Sequence, residues 1–180
     1  MVGGAMKRDI TLMTTLLDVI ENADRLTDDD LGRVLCAVMG REFDRTYIAC
    51  GDDGSRELQV YDSTDEQVYA EYRRNSPDVS IDAAFALSTE TLPGWWLSTC
   101  LCFLSGDASF GPDYNGPHGE RLHREFPSEI YDGGFHADLR PGDGPHRCCL
   151  AILHVLLQAL IKIEQERSTP SRFTAPDNEE

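Results

Sequence analysis

The sequence predicts an α/β (α+β) domain, a three-layer α/β/α sandwich with a mostly antiparallel sheet and a central hydrophobic C-terminal helix. Three observations predict it. Leu150, Leu153, Leu156, Leu157, Leu160 and Ile161 cover most of one helix's circumference, so that helix needs cover on all sides. Helical stripes also stand near the N-terminus and between groups of short strands. Turn residues separate successive strand patterns closely enough for hairpins, and hairpins make the sheet antiparallel.

Met1 to Ala5 read as a leader, and the folded domain is expected over 9–166, with a leader at 1–8 and an acidic tail at 167–180. Ile10, Met13, Leu16, Leu17 and Ile20 repeat near the helical period and predict a helix over 10–22. Thr27 is the natural N-cap of a second helix, with Asp28, Asp29 and Asp30 in the first turn, where the dipole favours negative charge. Leu31, Val34, Leu35 and Val38 form its buried stripe, and Gly40 ends it.

Arg45–Cys50, a turn at Gly51–Gly54, and Glu57–Tyr61 read as strand, turn, strand. A loop or irregular strand is expected around Val68–Tyr72, ended by Pro77. Ser80 caps a third helix running from Ile81 to about Thr89, and Pro93-Gly94 breaks the chain. Trp95–Leu104 reads as a strand on which Trp95 and Trp96 point to opposite faces, so one of them is expected to be partly exposed. Ser105-Gly106-Asp107 reads as a tight turn, Ala108–Phe110 as the returning strand, and Pro112–Gly119 as a loop. Leu122–Phe126 and Phe135–Leu139 are expected as two short strands. The Arg140–Pro145 loop feeds the last helix, His146 to about Gln165, with Pro145 suited to its first turn.

Length and charge bound the function. The 180 residues suit one domain with a core of its own. The 32 acidic and 16 basic residues leave a net charge of −16, a surface that repels phosphate backbones and argues against general nucleic-acid binding. Cys36, Cys50, Cys100, Cys102, Cys148 and Cys149 form no CxxC pair and read as reduced, buried thiols of a cytoplasmic protein. No secretory signal is visible, and no membrane role is expected, because His154 and Gln158 interrupt the most apolar run.

A second layer of pattern spans roughly residues 27–165. Val38-Met39-Gly40, then Val79-Ser80-Ile81-Asp82-Ala83-Ala84, then Leu92-Pro93-Gly94-Trp95, short strands, and a proline-containing entry into Cys148-Cys149-Leu150-Ala151-Ile152-Leu153 follow one another. This arrangement resembles the phage ABA sandwich family, small phage and prophage proteins mostly of unknown function. The chain departs from that pattern after Gly40, at Val79, and at Pro145-His146-Arg147. The resemblance implies a three-layer fold and a phage-encoded product in the host cytoplasm.

No catalytic constellation is read from the sequence, and no cofactor or metal is expected. His118, His123, His136 and His146, with Asp138 and Asp143, lack the spacing of a zinc site, and the serines lack a nucleophile elbow. The candidate ligand site is the entry to the last helix. Helix N-termini offer unbonded amides and a positive dipole, and Arg140, His146 and Arg147 gather three basic groups there. Trp96, Tyr114 and Tyr131 are the candidate stacking surfaces.

Three functions follow as expectations. The first is a non-enzymatic binding protein, an anti-defence sponge sequestering a small cyclic nucleotide signal, with a homodimer expected. The second is an acidic interaction protein that inhibits a host macromolecule, a host protein being its partner. The third is a metal-dependent hydrolase using the histidines.

Overall fold

Capping chemistry fixes where the helices begin. In the computed structural model, which describes residues 8–102, 105–139 and 144–169, α1 (Ile10–Asn22) starts where the Asp9 carboxylate accepts the Leu12 N–H at 3.1 Å. Helix α2 (Asp28–Met39) starts where Thr27 Oγ1 accepts the Asp30 N–H at 3.1 Å. It ends at Gly40, whose φ of 68° is the left-handed geometry that a side chain resists.

The first sheet is a meander of β1 (Phe43–Cys50), β2 (Arg56–Asp62) and β3 (Gln67–Tyr72), antiparallel throughout in that order. A single 3-10 turn (Arg73–Asn75) leads to α3 (Ile81–Thr91), capped by Ser80. The second sheet, also antiparallel, is β4 (Trp95–Cys102), β5 (Ser105–Pro112) and β6 (Phe135–Leu139) in that order. Short helices α4 (Gly119–Glu125) and α5 (Ser128–Tyr131) lie between β5 and β6, and α6 (Gly144–Ser168) follows.

Helix α6 is the centre of the core. It packs on all three strands of the second sheet and also against α1 and α3. Leu150, Ile152, Leu153, Leu156 and Leu157 are fully buried. Burial of each such side chain is worth roughly 1.5–3 kcal/mol. By length and composition α6 could cross a membrane, yet most of its apolar stretch is buried inside the fold. His154, the polar break in that stretch, is buried and meets Glu21 Oε1 of α1 at 2.8 Å through Nε2. Helix α2 joins the two halves, covering β1 and β2 while touching α6.

The α+β class, the antiparallel strands and the central last helix match the sequence reading. Several details differ. The strands form two separate sheets rather than one. Val68–Tyr72 is a strand rather than a loop, and it is irregular at its start: Leu58, Gln59 and Val60 of β2 pair with Glu71, Ala70 and Tyr69, and a register shift then leaves Val68 without a partner before Tyr61 pairs with Gln67. Leu122–Phe126 is not a strand. Leu122 to Glu125 lie in α4, where the Leu122 side chain is buried and Arg121 bridges Glu125 at 3.1 Å one turn later. Arg8, assigned to the leader, is tied to the domain, its Nε and Nη2 donating to the Val38 carbonyl at 3.1 and 2.9 Å. The expected leader residues 1–7 and the tail beyond residue 169 lie outside the described residues.

Ser105-Gly106-Asp107 is the start of β5, not a turn, and pairs with Cys102, Leu101 and Cys100. Gly106 is there for a packing reason: a Cβ at this position would lie 2.1 Å from the Arg147 carbonyl oxygen. Sheet and helix backbones meet at that point. Of the thiols, Cys36, Cys148 and Cys149 are buried, whereas Cys50 and Cys100 are exposed, which corrects the expectation of uniformly buried cysteines. Burial pushes the Cys36 thiol up to about 11 and Cys149 to about 12, so neither forms a reactive thiolate at neutral pH.

The glycine contact yields a direct test. Gly106→Ala forces the strand and α6 apart and should lower unfolding stability by about 1–3 kcal/mol, the usual cost of overpacking. Chemical denaturation measures it, and an unchanged midpoint would contradict the close approach.

Candidate functional site

The residues singled out by the sequence do not converge. His146 is on the first turn of α6, its Nε2 3.1 Å from Arg25 Nη2. Arg147 is buried, and its Nη2 donates to Asp24 Oδ1 at 3.0 Å. Both contacts come from the connection between α1 and α2, which therefore lies over the helix entry. Arg140 lies outside the described residues.

The three aromatic candidates stand at the other end of the second sheet. Trp96 pairs with Gly111, while the helix entry lies against Gly106. Those positions are five residue steps apart along β5, roughly 17 Å. Tyr131 is buried in a cluster around Trp95, their ring centroids 6.1 Å apart, with Phe110 and Phe126 also against Trp95. Tyr114 stacks on His123 at 4.4 Å, and its hydroxyl donates to the Phe126 carbonyl at 2.9 Å. Trp96 points to the opposite face from buried Trp95 and is 39% exposed, as the strand alternation required.

The histidines disperse too. His123 stacks on Tyr114, His146 meets Arg25, and His154 meets Glu21. Among the described residues no three His, Cys, Asp or Glu side chains gather as a metal site would require. On the outer face of the second sheet, Ser109 Oγ lies 2.9 Å from His136 Nδ1, and His136 Nε2 lies 3.5 Å from Asp107 Oδ2. This Ser–His–Asp row is open to water, with His136 60% exposed, and water competes for each hydrogen bond in it.

A site that the sequence reading missed lies on the first sheet, along β3. It begins with one guanidinium. Arg73 donates to Asp28 Oδ1 at 2.7 Å, to both oxygens of buried Asp78 at 2.7 and 2.8 Å, and to Ser76 Oγ at 2.6 Å. A bidentate pair of this kind fixes geometry as well as charge. It ties the end of β3 to the start of α2 and to the lead into α3. The β3 strand and α3 are thereby held side by side, and a cavity of about 540 Å³ runs between them.

That cavity follows an edge. Tyr69, Ala70 and Glu71 all line it, although successive strand residues point to opposite faces, so the cavity lies along the strand's border rather than on one face. The hydrogen-bond phase agrees. The Gly51 N–H donates to the Ser55 carbonyl, and bonding alternates along an antiparallel ladder, so Glu57 and Gln59 bond towards β1. Leu58 and Val60 then bond towards β3, to Glu71 and Tyr69. The main-chain groups of Ala70 and Tyr72 face away from the sheet. Consistently, the Tyr72 N–H donates to a side chain, Glu71 Oε1, at 2.8 Å. Across the gap Ala83, Ala86, Leu87 and Glu90 of α3 recur at helical spacing. Glu71, Asp82 and Glu90 line the cavity, and among the described residues no Lys or Arg does.

A second cleft, about 380 Å³, adjoins the end of β3. Arg56, Arg73 and Arg74 line it with the β1–β2 turn, and Arg74 lies over the exposed Tyr72 ring at 5.4 Å. Arg73 is committed to Asp28 and Asp78, and Arg56 Nη2 also lies 3.7 Å from Asp28 Oδ2; Arg56 and Arg74 are the cleft's exposed cations.

Burial raises two tyrosines strongly, Tyr69 beside the groove and Tyr131 in the aromatic cluster, each to about 12. Nearby carboxylates add to this, Glu71 and Asp78 for Tyr69 and Glu166 for Tyr131. The neutral phenol is the form the fold favours. Its contribution is complete below the ordinary value of 10 and is lost as pH rises towards 12. A spectrophotometric tyrosinate titration should find Tyr69 and Tyr131 ionising well above the ordinary phenol value of 10, with thermal stability falling over the same interval. Loss of neither late step in Tyr69→Phe and Tyr131→Phe variants would contradict the assignment.

No family model, curated protein or solved structure matches the chain.

Proposed function

We propose that this chain is a non-enzymatic binding protein that engages a basic macromolecular partner through its acidic surface. One observation carries the reading: in a chain of net charge −16, a groove beside a strand edge that no other described strand covers is lined by Glu71, Asp82 and Glu90 and, among the described residues, by no basic side chain. Charge of one sign around a concave surface speeds encounter with the opposite sign and excludes like-charged partners. In the setting implied by the resemblance to phage proteins, the partner is a host protein whose basic, nucleic-acid-binding surface the chain occludes.

Capture from bacterial lysate on immobilised full-length protein tests the reading. The captured proteins should be basic and should elute as ionic strength rises above about 0.15 M, where screening acts within 8 Å or so. Capture of neutral or acidic proteins that survives high salt would contradict it.

The arginine cleft favours a second reading, sequestration of a small phosphorylated ligand such as a cyclic nucleotide. Arg56 and Arg74 supply exposed charge and Tyr72 a stacking face. Calorimetry against a panel of cyclic and linear nucleotides should then give saturable heat that an Arg56→Gln/Arg74→Gln variant loses. Silence across the panel removes this reading.

A further inference from the structure

We infer that the outer edge of β3 is a docking site for an extended, basic polypeptide segment, which joins the first sheet as a fourth strand. The inference rests on the reading of the chain as an acidic binding protein, and it specifies where and in what conformation the partner binds.

Three features of the groove select such an occupant. The first is the unmatched main chain. Ala70 and Tyr72 direct their peptide groups outward, and β3 pairs with β2 alone among the described residues. An added strand satisfies those groups at the sheet spacing of about 4.8 Å. The Tyr72 N–H is meanwhile bonded to Glu71 Oε1, a contact that a guest carbonyl can replace.

The second is the opposite wall. The side chains of α3 nearest the gap include Ala83 and Ala86, which are small enough to leave room for another backbone. A guest helix, about 10 Å across, would leave the Ala70 and Tyr72 peptide groups without partners.

The third is charge. Strand edges are commonly protected by lysine, proline or a bulge. The β2–β3 irregularity lies between Val60 and Tyr61, towards the start of β3, and leaves Tyr69–Tyr72 regular. Instead of lysine, the groove stretch of this edge has Glu71, with Asp82 and Glu90 across from it, while Arg74 lies over Tyr72 at the far end of the strand. These carboxylates discourage pairing with another copy of this acidic chain and favour a cationic strand.

The probe is a capped heptapeptide of alternating lysine and valine, compared with an analogue N-methylated along its whole backbone that keeps every charge but donates no main-chain hydrogen bond. Ala86→Arg, at an exposed helix position, fills the groove, while Thr11→Arg makes the same charge change on the exposed face of α1. Fluorescence anisotropy should show the Ala86→Arg variant and the methylated analogue each weakening binding at least about tenfold, and Thr11→Arg by no more than about twofold. Amide exchange at Ala70 and Tyr72 should slow when the peptide saturates the protein. Equal binding by Ala86→Arg, equal binding of the methylated analogue, or unchanged exchange at those amides overturns strand addition while leaving the acidic-binding reading standing. No binding of the peptide at all overturns strand addition, and an empty lysate capture beside it overturns the broader reading as well.

Discussion

Burial of α6 governs the rest of the architecture. A helix apolar around most of its circumference requires cover on every side, and here the second sheet, α1 and α3 provide it. The consequence for α3 is specific. Its buried residues are Ala84 and Ser88, whereas Ala83, Ala86 and Leu87 line the gap beside β3. The demand for a covered core helix thus presents a second, small-residue face of α3 to the first sheet's edge.

Arg73 stands beside that gap, just past the end of β3. Its guanidinium brings together carboxylates from α2 and from the segment before α3, with Asp78 almost wholly buried. Removing one member of such a buried pair typically costs about 3–5 kcal/mol, because the remaining charge is left without compensation in a low-dielectric place. The pair therefore acts as a positional clamp more than as a source of net stability. It ties the segments that follow β3 and precede α3, and the groove between the two elements has both a polar strand edge and an acidic lining.

Much of the fold was legible in the residues because it depends on local chemistry. Thr27, Ser80 and Gly40 mark helix ends through caps that need no distant partner. The leucines of α6 announce burial by their spacing alone. Where a distant partner decides the outcome, the sequence misled. Gly106 resembles a turn glycine until the carbonyl of Arg147 is seen against it. Arg140, His146 and Arg147 resemble an anion site by local density, but Asp24 and Arg25, more than a hundred residues earlier, contact two of them. The β3 groove depends on strand phase, on the register with β2 and on the Arg73 clamp, none of which a linear reading gives. One signal was present: between Arg74 and Arg121 the chain contains no Lys or Arg, a stretch that includes Asp82 and Glu90.

Strand addition requires the border of β3 to be open in the whole protein. Residue-resolved hydrogen exchange on the full-length chain without any partner measures this directly. The Ala70 amide should exchange far faster than those of Tyr69 and Glu71, which bond into the sheet. An Ala70 amide as well protected as its two neighbours would show that another part of the chain, or a second copy, already covers the edge.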